Sequence, residues 1–243
     1  MTQICRGFTT AQWRRLSETL GAVTGQGQEE VGWRLAIDVF ERRMRERFLS
    51  CIEALELADS KSDVEPTAES QGADAELPAD NDGPVVVPGF SIMALCCLLI
   101  ETLQSFRVVT ETPTEGLGTR SVPNVPDGRS ALSTSDLFAA FLQLPAFRGE
   151  FEHPIARRFV SGLRNGVLHE AETRRWVIWR EEPRCRLVEE VSTSPWRYAV
   201  NRTAFYAAIK VEFLRYVDDL RNPQNHGLRK RFVEKMDRIA VDS

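Results

Sequence analysis

Residues 88–109 read PGFSIMALCCLLIETLQSFRVV. Proline opens this stretch at a position where the first-turn N–H of a helix has no intrahelical partner. Apolar side chains then follow nearly all the way round the wheel, the pattern of a helix surrounded by other protein. Glu101 is the only charge in its middle. A buried-face acid needs a partner, so an arginine elsewhere in the core is expected to meet it. The uncharged run extends from Gly83 to Ile100, but Pro84 and Pro88-Gly89 interrupt it. Its continuous apolar part, Phe90 to Ile100, is far short of the roughly 20 residues a membrane span needs, so no transmembrane segment is expected.

Working outward from this central helix, the flanking patterns are also helical. From about Gln28 to Ala58 apolar residues recur at Val31, Leu35, Val39, Met44, Phe48, Ile52 and Leu55, which predicts one long amphipathic helix. A shorter one lies in FTTAQWRRLSETL, with Thr9 or Thr10 as cap and Gly21 as stop. Between Ser60 and Pro84 stand seven acids and one base with almost no large apolar side chain, which predicts an inserted acidic disordered loop (60–84). Residues 110–129 are rich in Pro and Gly and read as a second long loop. Ser133 and Asp136 form a capping-box pattern before LFAAFLQL. Pro154 opens a helix reaching about Ala171, and RRWVIWR and CRLVEEV then predict a β-hairpin across 172–192. Two amphipathic helices separated by NPQNHG complete the chain. The expected fold is a single mainly α domain over 1–243, a helical bundle with a β-hairpin insertion after the helix that begins at Pro154.

Composition narrows the function. The chain of 243 residues is 42% apolar and 27% charged, as for an ordinary globular protein. Its net charge of -4 is uneven, because residues 60–84 alone carry -6 and the rest +2. Of 31 basic residues 27 are Arg, the side chain suited to forked contacts with phosphate. Five cysteines without CxxC spacing predict reduced thiols, and no basic, apolar and small-residue leader is readable at the N-terminus, so a cytoplasmic protein is expected. Walker, Rossmann, HExxH and GxSxG motifs do not occur, which argues against nucleotide hydrolysis, nicotinamide chemistry and zinc hydrolysis; no metal and no cofactor is expected.

Three Arg–His pairs share one spacing: Arg148 with His153, Arg164 with His169, and Arg221 with His226. The first ends just before Pro154 and the third is broken by Pro223, so only RNGVLH, Arg164 to His169, sits inside a predicted helix. At about 100° per residue, Ala156, Val160, Leu163, Val167 and Ala171 share a core face, while Arg157, Arg158, Ser161, Asn165 and His169 make an unusually polar second face. On that wheel Asn165 adjoins His169, but Arg164 lies about 140° away and must use its length to reach the same cleft. Gly166 weakens the helix, a cost that close approach of another backbone would explain.

The RNGVLH string in its helical context resembles the HEPN superfamily of helical-bundle proteins. The resemblance implies a dimer in which two copies of the motif meet in one cleft and cut RNA without metal. It also implies a function among toxins or antiviral defence effectors and a neutralising partner protein. Arg164, Asn165 and His169 are the catalytic candidates. Cleavage requires the ribose 2′-OH to lose a proton and attack its own phosphate while the 5′-oxygen gains one. Imidazole changes charge between pH 5 and 8 and can move that proton, and a guanidinium can hold the phosphorane oxygens. Asn165 either holds the phosphate or orients His169. Arg157, Arg158, Arg174 and Arg175 are the candidate RNA contacts, within a segment 154–180 of net charge +4. Trp176 and Trp179 offer stacking surfaces, although packing on the bundle is the commoner role of strand tryptophans. The alternative is a non-catalytic RNA- or protein-binding bundle, with Arg164 paired to Glu101 to hold the helices together and His169 an ordinary residue near a helix C-terminus.

Overall fold

The computed structural model describes residues 2–21, 26–62, 88–108, 133–147, 149–180, 186–191 and 197–241. Two short strands, β1 (Gln3–Cys5) and β2 (Phe8–Thr9), pair antiparallel before α1 (Thr10–Gly21). The long amphipathic pattern forms α2 (Gln26–Met44), a π turn (Arg45–Leu49) and α3 (Ser50–Ser62) in unbroken succession. Helix α3 thus continues through Ser60–Ser62, the first three residues of the expected acidic loop; 63–84 and the loop expected at 110–129 lie outside the described residues. Helix α4 (Pro88–Arg107) is the central one and packs against α3, α5 (Thr134–Phe141), α7 (Arg202–Arg221) and α8 (His226–Val241). It is long and apolar enough to cross a membrane, but Ile92, Met93, Cys96, Cys97, Leu99, Ile100, Leu103 and Phe106 are all buried in the protein core. The protein is mainly α, as its periodicities require.

Two aromatic clusters fill the core. Phe40 stands among Phe106, Tyr216 and Phe232, with ring centroids 4.8, 5.7 and 5.5 Å away, and locks α2, α4, α7 and α8 together. Phe159 stands among Phe151, Trp176 and Phe205 at 5.3, 5.2 and 5.2 Å, all at the edge-to-face or stacked spacings that aromatic rings favour. This second cluster positions α6 (His153–Phe159), which carries the Arg–His motif in its continuation. Ser133 caps α5 as its sequence predicted, its hydroxyl accepting from Asp136 N–H and the Asp136 carboxylate returning to the Ser133 backbone.

The expected hairpin is corrected. Strands β3 (Trp176–Trp179) and β4 (Val188–Glu190) both form, but they do not pair with each other. A strand absent from the sequence reading, β5 (Tyr198–Asn201), lies between them, parallel to β3 with Trp176 opposite Tyr198 and antiparallel to β4 with Val188 opposite Val200. All four β5 residues are buried, so the strand fully covered on both edges is the one that takes the centre. Its last residue, Asn201, also caps α7 through Oδ1, which accepts from Ala204 N–H at 3.1 Å.

Candidate functional site

Beyond Phe159 the motif helix is wound as two π turns, Val160–Arg164 and Gly166–Glu170, joined at Asn165. A π turn bonds residue i to i+5, which brings side chains five apart onto one face. Arg164 and His169 are five apart. The 140° separation expected of an ideal α-helix therefore does not apply: Arg164 Nη1 lies 3.3 Å from His169 Nε2 and donates to Asn165 Oδ1 at 2.7 Å. One guanidinium edge thus gathers the three candidate catalytic side chains.

The other edge is anchored in the core. Arg164 Nε donates to Glu101 Oε1 at 2.7 Å, and Nη2 donates to the same oxygen. The lone acid of the central helix and the motif arginine are thus partners, as the sequence suggested. The Arg164 side chain is 13% exposed and that of Glu101 25%, whereas His169 is exposed. A charge held this way keeps its position when a ligand arrives, because its fork is fixed by a pair of charge-assisted bonds. Burial pushes the neighbouring Cys97 thiol well up, with Glu101 adding to the effect, so it stays protonated and unreactive beside the pair.

The end of the helix is held by backbone contact. Ala171 adopts φ 57° at the C-terminus, and the chain turns back so that Glu172 N–H donates to Gly166 O at 3.1 Å. A Cβ on Gly166 would collide with the Glu172 carbonyl oxygen, which is the close approach its presence suggested. Gly162 likewise admits the edge of Trp176, whose Nε1 would stand 2.8 Å from an added Cβ. Trp176 is buried and stacked on Tyr198 at 4.9 Å, so it supports the helix and offers no stacking surface.

The four arginines proposed for RNA are placed on different neighbours. Arg157 is exposed and reaches toward α5, with Nη2 3.8 Å from Asp136 Oδ1. Arg158 lies against β5, donating to the Tyr198 hydroxyl. Arg174, at φ 51°, is tied to Glu170 and donates to Ser161 O at 2.8 Å. Arg175 is exposed, its backbone carbonyl accepting from Arg197 N–H at 3.0 Å. Only Arg157 borders the groove beside Asn165, which is also lined by Ser135, Asp136, Val160 and Ser161. That groove was not legible beforehand, since it needs the packing of α5 on the motif helix.

No family model, curated protein or solved structure matches the chain. The remaining Arg–His pairs contribute little: Arg221 is spent on Glu41 and Asp218 at 3.2 and 2.8 Å, and Arg148 lies outside the described residues. Among the described residues no group of three or more His, Cys, Asp or Glu side chains is arranged to hold a metal ion.

Proposed function

We propose that the protein is a cytoplasmic, metal-independent endoribonuclease that cleaves RNA by 2′-OH transesterification, acting as a homodimer of the HEPN kind. The single observation that carries this reading is the approach of Arg164 Nη1 to both Asn165 and His169 while its other edge is fixed on Glu101. Arg164 directs its guanidinium charge at the non-bridging phosphate oxygens. In the resting site Nη1 faces the imidazole. When a phosphate takes the guanidinium edge, His169 Nε2 is released to accept the 2′-OH proton, and the histidine of the second protomer returns a proton to the departing 5′-oxygen. Asn165 holds Arg164 on course. Exposed Leu98, one turn before Glu101 on α4, gives a docking second copy an apolar contact beside the polar site. Use as a toxin or defence effector, with a neutralising partner protein, belongs to the same proposal through the family resemblance.

The burial of Arg164 against Glu101 favours a second reading, a non-catalytic bundle that binds RNA or protein, in which the pair serves stability alone. Labelled single-stranded RNA incubated with the purified protein in excess EDTA separates the two. The nuclease reading requires cleavage that leaves 2′,3′-cyclic phosphate ends and is lost in Arg164→Ala and in His169→Ala. Intact RNA with folded, dimeric wild type, or equal cutting by His169→Ala, gives the second reading its place.

A further inference from the structure

The groove beside Asn165 has a chemistry that phosphate cleavage leaves unused. It encloses about 240 Å³ between the first turn of α5 and the motif helix, and Asn165 is common to groove and site. Asn165 Oδ1 is occupied by Arg164, which leaves its amide NH2 as the donor end. Across the groove, Ser133 donates to Asp136 Oδ2 through its hydroxyl at 2.7 Å and its N–H at 3.4 Å. Those bonds hold the Asp136 carboxyl below the usual range, so it is a carboxylate at neutral pH. Its other oxygen, Oδ1, stands 3.8 Å from Arg157 Nη2, beyond hydrogen-bond distance. A carboxylate acceptor and a guanidinium donor thus lie side by side with no hydrogen bond joining them, beside Val160 and flanked by Ser135 and Ser161.

A groove for phosphate alone would not carry Asp136, and one for an aliphatic chain would not carry two hydroxyls, an amide and an ion pair. A planar ring with donors next to an acceptor on one edge fits both. Guanine is the base whose pairing edge places two adjacent donors, N1–H and N2–H, before an acceptor, O6. We infer that this groove receives the guanine of a nucleotide adjoining the cleaved phosphate, with N1–H and N2–H donating to Asp136 Oδ1 and Arg157 donating to O6. Asp136 is then a specificity-determining residue. The inference rests on the ribonuclease reading for its place in a reaction, but base binding is measurable without cleavage.

The experiment uses the full chain carrying His169→Ala and fluorescence anisotropy with labelled oligouridines that contain one central guanine, inosine or uracil. Guanine is expected to bind roughly tenfold more tightly than uracil, within the range of a good two-point base contact. Inosine, which lacks the N2 amine, falls between them. Adding Asp136→Asn, whose amide oxygen preserves the Ser133 cap, erases the order. Equal binding of the three oligonucleotides, no binding of any, or a guanine preference that survives in folded Asp136→Asn overturns the inference. The base series on the unaltered groove keeps the test decisive should Asp136→Asn not fold. A guanine preference in a protein whose wild type leaves RNA intact removes the ribonuclease reading and keeps the groove; cleavage with no preference does the reverse.

Discussion

Two arginine–carboxylate clusters join distant parts of the chain, and they differ in what they leave open. At the junction of α3, β3 and α7, Arg202 pairs with Asp59 and lies 3.7 Å from Glu56, while Arg180 reaches the same Asp59 at 3.2 Å. The Arg202 side chain is 5% exposed, and Gly89 leaves the space its guanidinium occupies. Every charge there faces another part of the same molecule. At the motif helix the Glu101–Arg164 pair closes one edge of the guanidinium and turns the other to Asn165 and exposed His169. The same chemistry is closed in one place and, in the other, leaves one guanidinium edge turned to Asn165 and His169. Burial alone does not tell the two arginines apart; the direction of their remaining N–H groups does.

The contrast is broken most forcefully at its closed end. Arg202→Ala leaves the part-buried Asp59 and Glu56 together with one fewer counter-charge, and a loss of about 3 kcal/mol is expected, read by denaturant unfolding. Gly166→Ala moves the frame of the open cluster without touching a charge. Collision with the Glu172 carbonyl is expected to cost about 1–3 kcal/mol and to lower RNA cleavage together with the melting temperature. Arg164→Ala strands one carboxylate, Glu101 at 25% exposed, where Arg202→Ala strands two, so a smaller loss of about 1–2 kcal/mol is expected, together with a fall in cleavage of about 100-fold or more. If Arg164→Ala destabilised the protein as much as Arg202→Ala, the distinction between the clusters would collapse. The fully open case is Glu53 with Lys210, 2.9 Å apart and each 43% exposed. The hydrogen bond from Lys210, aided by Tyr206, holds the Glu53 carboxyl below its usual range. Its contribution is therefore complete above the unfolded carboxylate range and fades as pH falls through the lowered folded value. Glu53→Gln should cost a few tenths of a kcal/mol at pH 7, and the difference in melting temperature should vanish in acid.

Most of the helical frame was legible because it depends on local periodicity and caps. The α4 stretch announced a core helix, Ser133 and Asp136 announced a capped start, and Glu101 announced a buried pair. The motif helix was also legible, but its geometry was not. Nothing in VSGLRNGVLHE distinguishes a π turn from an α turn, since both satisfy the same apolar positions; the packing of Gly162 on Trp176 and Gly166 on the Glu172 carbonyl is visible only in three dimensions. The sheet failed for a related reason. Adjacency along the chain favours a hairpin of β3 with β4, whereas the fully buried YAVN strand competes successfully for the central place. The groove at Asp136 and Arg157 was illegible because its walls come from two helices.

The central position of β5 also orders events during synthesis. Phe159 is fixed by Trp176 and Phe205, and Trp176 in turn by Tyr198, so the props of the motif helix are translated after the helix itself. Strand β3 waits beside an empty edge until Tyr198–Asn201 emerges, and α7 cannot dock before its Asn201 cap. Since chains fold from the N-terminus as they are made, a nascent chain that has not yet exposed Tyr198 and Phe205 carries Arg164 and His169 on a helix still without its props.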